Sequence, residues 1–310
     1  MGSRMATSLK VMPKSLSTSV EMSQTYLPSP EQHRFYKENG YIVVKGLIDF
    51  SILYACKQRF IQICKGVVDR GNITVMKELS LINSGKTGEQ LINKIQDILY
   101  DDVLCTYTEN PRLLDVVSQL VGPNVTAMHS MLINKPPQTG RHPPHQDLYY
   151  FPFRPADAIV AAWTAIDTVT VENGSLYVVP GSHRAGTLYE HDYPPPVKGV
   201  TNKMYHGIVD EDRVSPPHER VNLEMSPGDT AFFHPLLVHG SGPNTTQGYR
   251  KSISCHYASS HCHYIDVRGT AQQNIAKEIE EVSQRRGIPL SFNEIWQYRA
   301  KQVKGVKCNL

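Results

Sequence analysis

The chain has 310 residues, 40% of them apolar, and its 32 basic and 29 acidic residues leave a net charge of +3. This apolar content is sufficient for a buried core, which excludes a disordered or fibrous protein. The nearly balanced charge argues against sequence-independent nucleic-acid binding, and no apolar run of about 18 residues predicts a membrane span.

The six cysteines are scattered along the chain without a Cys-x-x-Cys pair. This pattern predicts reduced, mostly buried thiols and no disulfide framework. Cys262 lies between His261 and His263, but alternate residues of a strand face opposite sides, so we interpret this triplet as structural.

The first 27 residues are rich in Ser, Thr, Met and Lys and contain no acid before Glu21. We predict a disordered leader, a targeting segment or a tag, followed by a single domain over residues 28–310. Helical signals dominate up to Gly122. The predicted elements are a helix from Pro30 that ends at Gly40, a strand at 41–44, a helix at 51–64, a helix carrying Ile92, Ile95 and Leu99, and a helix carrying Leu113 to Leu120.

From Val125 the apolar period changes from 3.6 to 2, which predicts a region of short strands characteristic of a β-barrel or sandwich. The predicted strands begin at 125 and continue at 158–166, 175–179, 221–225, 230–234 and 251–257. Residues 187–220, which contain Pro194-Pro195-Pro196, are predicted to form a long surface insertion. Two helices, 271–286 and 292–301, end the chain.

His145 and Asp147 are two residues apart, so in an extended segment both side chains reach the same side. A second histidine, His239, follows an apolar strand at a glycine-rich exit. Two histidines and one carboxylate form the set that holds non-haem Fe(II) by one face. Arg250 follows with a planar fork suited to a distant carboxylate, and Ser241 adds a hydroxyl donor.

With these residues, the sequence resembles the phytanoyl-CoA dioxygenase family of Fe(II)- and 2-oxoglutarate-dependent oxygenases. The resemblance extends from about Glu31 to Leu310 and includes Ala127-Met128-His129-Ser130-Met131-Leu132-Ile133-Asn134-Lys135-Pro136-Pro137 and the segments 141–154, 232–242 and 262–267. It implies a β-rich α+β fold, in which a double-stranded β-helix (jelly-roll, cupin-like) at about 125–258 forms the core and helices flank it.

The resemblance also implies roles for individual residues. His145, Asp147 and His239 would hold Fe(II), Arg250 and Ser241 would anchor 2-oxoglutarate, and Lys94, Met131, Gln146 and Trp163 would line the same pocket. Spacing alone would place Met131 and Trp163 in the core. Lys94, in the apolar stripe of its predicted helix, either extends to solvent or pairs with an anion.

The implied reaction is 2-hydroxylation of a 3-methyl-branched acyl-CoA such as phytanoyl-CoA, the first step of fatty-acid α-oxidation, with O2 consumed, succinate and CO2 released, and ascorbate supporting activity. Related enzymes that halogenate lack the carboxylate ligand, so Asp147 favours hydroxylation. A hydroxylase of another acid with the same fold and a non-catalytic acyl-CoA-binding protein are the alternatives.

Lys135, Arg141 and Arg154 are candidates for the CoA phosphates, with solvated surface charges as the alternative. His129 shares a face with Met131, and we interpret it, with His142, His234, His256 and His263, as structural. The resemblance implies a peroxisomal location, although residues 1–30 contain no clear targeting nonapeptide and Cys308-Asn309-Leu310 is not a Ser-Lys-Leu signal; a cytosolic location is the alternative. The sequence carries no signal for an oligomeric state.

Overall fold

The computed structural model describes residues 26–195 and 204–310. Its core is a pair of antiparallel sheets, which confirms the predicted jelly-roll. In the described residues the larger sheet has eight strands in the order β1-β12-β7-β14-β4-β3-β2, with β16 paired to β4. These strands are β1 (Tyr41–Val44), β2 (Thr74–Lys77), β3 (Ile92–Gln96), β4 (Val125–Lys135), β7 (Ile159–Ala165), β12 (Thr230–Phe233), β14 (Arg250–Ser259) and β16 (Lys301–Lys304).

The smaller sheet carries the strand ends that form the candidate site. Its order is β11-β8-β13-β5. The strands are β5 (His142–His145), β8 (Leu176–Val178), β11 (Val221–Leu223) and β13 (His239–Ser241). Two further pairs are β6 (Phe153–Arg154) with β15 (His263–Tyr264), and β9 (His191–Asp192) with β10 (Gly207–Ile208).

Helices cover the outer face of the larger sheet and one end of the core. They are α1 (Pro30–Asn39), α2 (Phe50–Lys65), α3 (Cys105–Thr108), α4 (Pro111–Val121), α5 (Glu211–Val214), α6 (Gln273–Arg285) and α7 (Phe292–Arg299). The predicted start of α1 is confirmed, since Ser29 and Gln32 form a capping box, and Gly40 ends the helix at φ 80°. None of the helices in the described residues is long and apolar enough to span a bilayer.

One apolar cluster covers the outer face of the larger sheet, and a second lies on its inner face, between the two sheets. Phe60 of α2 and Val117 of α4 pack against Ile253 on the outer face of β14. Between the two sheets, Trp163 of β7 packs with Val178 of β8. Alternate residues of β14 therefore face opposite sides of the larger sheet. Every second residue from Arg250 to His256 lies on the inner face and points between the two sheets.

The prediction of a helix around Ile92 is wrong, because residues 92–96 form β3. The register of β3 with β2 pairs Lys77 with Ile92 and Met76 with Lys94, so Asn93 is an extra residue in a bulge. This bulge brings Ile92 and Ile95 to the same apolar core although they are three residues apart. A three-residue spacing in a strand imitated the spacing of a helix.

Other sequence predictions are confirmed or corrected. All six cysteines are free, as predicted. Residues 1–25 of the predicted leader lie outside the described residues, while Tyr26 packs against the outer core. Residues 196–203 of the predicted insertion also lie outside them, but its described part is not only surface, since His191 and His206 are buried. The single domain over 28–310 stays a prediction.

Candidate active site

The candidate site begins where β5 ends. His145 is the last residue of β5, Gln146 continues the extended backbone, and Asp147 begins a short 3-10 turn. The paired strand β13 places His239 directly opposite His145. All three predicted ligands are buried.

The three side chains converge on one point. Oδ1 of Asp147 lies 3.5 Å from Nε2 of His145 and 3.8 Å from Nε2 of His239. The ligand atoms of the three residues all lie within 4.8 Å of one another. The cross-strand pair and the His-x-Asp spacing together produce a cluster that could surround one ion.

Hydrogen bonds orient both imidazoles. Nδ1 of His145 is 3.0 Å from the carbonyl of Pro143, and Nδ1 of His239 is 2.9 Å from the carbonyl of Leu237. A carbonyl only accepts, so each Nδ1 carries the hydrogen and each Nε2 presents a lone pair to the cluster. Burial also lowers the pKa of His239 to about 4, which keeps this ring neutral.

His256 of β14 holds the carboxylate from its other side. Its Nε2 is 2.9 Å from Oδ2 of Asp147, which leaves Oδ1 facing the two lone pairs. Burial alone would raise the pKa of Asp147, but His256 and His239 outweigh it and hold this pKa well below its usual range. Two neutral nitrogens and one ionised oxygen are donors suited to Fe(II).

Sequence reasoning gave His256 only a structural role. The signal that could have identified it is its position on β14, since His256 lies six residues after Arg250 on the same inner face. Its ring also stacks on that of His129, with centroids 5.7 Å apart. His142 stacks on His145 at 4.1 Å, so it too borders the site.

Arg250 and Ser241 lie at a second, cationic part of the interior. Arg250 is 2% exposed, and its Nη2 donates to the carbonyl of Gly174 at 2.7 Å. Its guanidinium carbon lies 5.4 Å from the centroid of the Trp163 ring. Burial lowers the pKa of Arg250 to about 10, still above neutral pH. The predicted neighbours Arg250 and Trp163 are therefore brought together.

Met131 and Lys94 lie on the same inner face of the larger sheet. Met131 is paired with Ser254, which is in turn paired with Trp163. Lys94 lies on β3 rather than on a helix, paired with Ile133. Its Nζ is 5.7 Å from the centroid of the Tyr205 ring, and burial, followed by Arg299, lowers its pKa to about 8. Lys94 therefore lies on the inner face beside an aromatic ring, and its pairing with an anion stays a prediction.

Gln146 uses its side chain to hold the backbone. Its Nε2 donates to the carbonyls of Thr187 at 2.9 Å and Leu236 at 2.8 Å, and its Oε1 accepts from the amide of Tyr189 at 2.9 Å. These bonds join the segment before His239 to the strand that carries His145. The amide group therefore bonds to the protein backbone, and the ligand-lining role that the resemblance implies stays a prediction.

The three basic residues proposed for CoA phosphates have other partners. Lys135 is buried, and its Nζ donates to Ser241 Oγ at 3.1 Å. Arg141 pairs with Glu211, where Nη2 and Oε2 are 2.8 Å apart. Arg154 donates to the carbonyls of Phe151 and Phe153. Lys135 in particular lies in the interior beside Arg250 and is not a solvated surface charge.

The His261-Cys262-His263 triplet agrees with its structural interpretation, because Cys262 is buried while both histidines are exposed. Within residues 26–195 and 204–310, the His145, Asp147 and His239 group is the one set of three potential ligands close enough for a metal.

Comparison with known proteins identifies the family. A family model described as phytanoyl-CoA dioxygenase (PhyH) matches residues 36–252. The chain belongs to the phytanoyl-CoA dioxygenase family. This membership makes it a dioxygenase, as the sequence predicted.

Curated members of this family are similar over most of their length. Peroxisomal phytanoyl-CoA dioxygenase of Rattus norvegicus is 48% identical over 290 residues, which cover 91% of this chain and 84% of that protein. The human protein of the same name is 48% identical over 288 residues, covering 90% and 84%. A probable phytanoyl-CoA dioxygenase of Caenorhabditis elegans is 49% identical over 301 residues, covering 91% and 95%.

Solved structures of more distant proteins share the fold. EctD from S. alaskensis with bound Fe has a TM-score of 0.60 at 20% identity, covering 78% of this chain and 83% of that chain. The epimerase SnoN in complex with Fe3+, alpha ketoglutarate and nogalamycin RO has a TM-score of 0.56 at 22% identity, covering 77% and 86%. At this identity the likeness supports the architecture of the two sheets.

Proposed function

We propose that the protein uses Fe(II), 2-oxoglutarate and O2 to hydroxylate carbon 2 of a 3-methyl-branched acyl-CoA such as phytanoyl-CoA. The observation that carries this proposal is the convergence of His145, Asp147 and His239 in a chain 48% identical to phytanoyl-CoA dioxygenases. The reaction incorporates one oxygen atom of O2 into the acyl group and the other into succinate, with release of CO2.

Fe(II) would be held by Nε2 of His145, Nε2 of His239 and Oδ1 of Asp147. Three protein ligands on one face leave the opposite face open for the co-substrate and O2. The bound metal supplies the activation of O2, and the protein supplies orientation and a water-poor surrounding. His256 and the carbonyls of Pro143 and Leu237 would keep the ligand atoms aimed before metal arrives.

The far carboxylate of 2-oxoglutarate would bind Arg250 and Ser241. Arg250 has a buried Nε with no hydrogen-bond partner, so one donor of its fork is free for an anion. Trp163, Met131 and Lys94 would form the neighbouring wall on the inner face of the larger sheet. Their position on three strands beside Arg250 supports this role.

We further propose a peroxisomal location, as the names of the animal relatives state for those proteins. Ascorbate would support activity by keeping the metal reduced between turnovers. The 3-methyl branch of the substrate blocks ordinary β-oxidation, so hydroxylation at carbon 2 would begin removal of one carbon from the acyl chain.

The deciding experiment is succinate release from purified protein with Fe(II), 2-oxoglutarate and O2. Phytanoyl-CoA, a straight-chain acyl-CoA and no acyl substrate are compared, and the acyl product is weighed by mass spectrometry. Succinate stimulated by phytanoyl-CoA, with a product heavier by one oxygen atom, is expected. Succinate without hydroxylated product would retain the oxygenase and reject the substrate, while no succinate at all would favour a binding protein.

A further inference from the structure

Two cationic side chains lie next to each other in the interior, at the ends of neighbouring strands. Lys135 of β4 is in direct register with Arg250 of β14, so their side chains leave the sheet on the same face. Lys135 is 7% exposed and Arg250 is 2% exposed. Nζ of Lys135 donates to Oγ of Ser241 at 3.1 Å.

The chain makes room for this pair at Gly174. The residue has a φ of +88°, and a Cβ added there would lie 2.8 Å from both Cδ and Cε of Lys135. The carbonyl of the same glycine accepts the bond from Nη2 of Arg250. Any larger residue would displace the lysine stem, so Gly174 is the point around which both cations pack.

Among the described residues, the side chain of Lys135 donates to a hydroxyl and that of Arg250 to the carbonyl of Gly174 and the hydroxyl of Ser252, and neither donates to a carboxylate. The acid that acts on Lys135 is Glu78, but its Oε2 accepts from Asn93 Nδ2 at 3.1 Å and its Oε1 from Ser80 Oγ at 2.8 Å. Burial and the neighbouring Arg250 hold the pKa of Lys135 well below its ordinary range. A charged lysine without an anion is therefore costly at this position, and a ligand carboxylate would offset that cost and favour the charged form of Lys135.

We propose that Lys135 is a second cation for the distal carboxylate of 2-oxoglutarate and selects dicarboxylic over monocarboxylic 2-oxo acids. This inference rests on the proposed function and adds a residue to it. Because Lys135 donates to Oγ of Ser241, the hydroxyl hydrogen of Ser241 is free to donate to the ligand. Lys135 thus positions Ser241 and adds charge beside Arg250.

The test compares two ligands in direct binding. Affinities of 2-oxoglutarate and of 2-oxopentanoate, which has the same carbon number without the distal carboxylate, are measured by calorimetry on the Fe(II)-loaded protein without oxygen. Lys135→Met keeps the length of the stem and removes the charge. The control is Lys251→Met, since Lys251 is also buried but pairs with Glu89.

Lys135→Met is expected to weaken 2-oxoglutarate binding about tenfold to a hundredfold, as loss of a charge-assisted contact does, and to leave 2-oxopentanoate binding unchanged. Lys251→Met is expected to leave the ratio of the two affinities unchanged. If Lys135→Met does not fold, Lys135→Gln carries the same expectation.

Two outcomes would overturn the inference while leaving the proposed function in place. One is unchanged 2-oxoglutarate affinity in the Lys135 variants, and the other is an equal loss for both ligands, which a packing role would produce. If the unmodified protein itself bound no 2-oxoglutarate, the proposed function would fail as well.

Discussion

Nε2 of His256 donates to Oδ2 of Asp147 across 2.9 Å, although the two residues are 109 positions apart in the chain. A carboxylate only accepts, so Nε2 carries the ring hydrogen and this bond fixes the orientation of the carboxylate. The remaining oxygen, Oδ1, then faces the lone pairs of His145 and His239. His256 thus orients the candidate metal ligands without being one of them.

Replacing His256 should weaken metal binding without disturbing the fold. His256→Phe keeps an aromatic ring against Phe151, whose centroid is 5.0 Å away, but removes the donor to Asp147. Loss of such an outer hydrogen bond typically lowers metal affinity about 10- to 100-fold. Anaerobic calorimetric titration with Fe(II) measures this. His218→Phe is the control, because His218 is highly exposed, and equal affinity in both variants would contradict the role of His256.

Asp147→Ala should abolish both iron retention and succinate formation. The substitution leaves a divalent ion with two neutral imidazoles and removes the negative charge that offsets its burial. Metal content by atomic absorption and succinate release are measured together. Asp157→Ala, at an exposed carboxylate that pairs with His234, should retain both. Full turnover in Asp147→Ala would refute the assignment of this ligand.

The sequence predicts those parts of the site whose geometry is determined by a local pattern. It does not predict the parts whose geometry depends on pairing between strands. The prediction of His145, Asp147 and His239 rests on a two-residue spacing, a histidine after an apolar strand and the resemblance to the family. The error at Ile92 came from the bulge at Asn93, which changes the apolar spacing of a strand from two residues to three. The spacing along one segment contains no information on such a register shift.

The burial of the charged residue Lys135 could not be predicted from its own segment for the same reason. From the sequence, Lys135 is a candidate for the CoA phosphates or a solvated surface charge. Register with Arg250 and the bond to Ser241 place it inside, and both depend on strands more than 100 positions away in the chain. Burial of a lysine is decided by what the partner strand presents, which the segment alone does not encode.

Arg250→Ala should weaken 2-oxoglutarate binding and leave acyl-CoA binding unchanged. Its guanidinium has a buried Nε without a hydrogen-bond partner, and loss of a charge-assisted contact costs about 1.5 to 3 kcal/mol. The KM for 2-oxoglutarate should therefore rise about tenfold to a hundredfold or more. Steady-state kinetics with each substrate varied separately distinguish the two effects. Arg34→Ala, at an exposed residue of α1, is the control, and an unchanged KM for 2-oxoglutarate in Arg250→Ala would refute the role.

Lowering the pH should destabilise the protein through His191. This buried histidine lies in the segment that follows Thr187 and contacts the backbone beside the candidate site. Its Nε2 accepts from the amide of Gln146 at 2.9 Å, and its Nδ1 donates to the carbonyl of Tyr189 at 2.8 Å, so the ring is held neutral. Burial lowers the pKa of His191 to about 3. An unfolded histidine titrates near pH 6.5, so between about pH 6.5 and about pH 3 the unfolded chain binds a proton that the folded chain does not.

The free energy of unfolding should consequently fall as pH falls through this window, with His191 contributing up to about 1.4 kcal/mol per pH unit. His191→Gln retains an acceptor but removes the titrating group, so its unfolding free energy should depend less steeply on pH. Urea unfolding with a chelator present, to prevent release of metal from adding to the slope, measures the difference. His218→Gln, at a highly exposed histidine, should keep the slope of the unmodified protein. An identical slope in His191→Gln would show that its neutral ring is not a source of acid sensitivity.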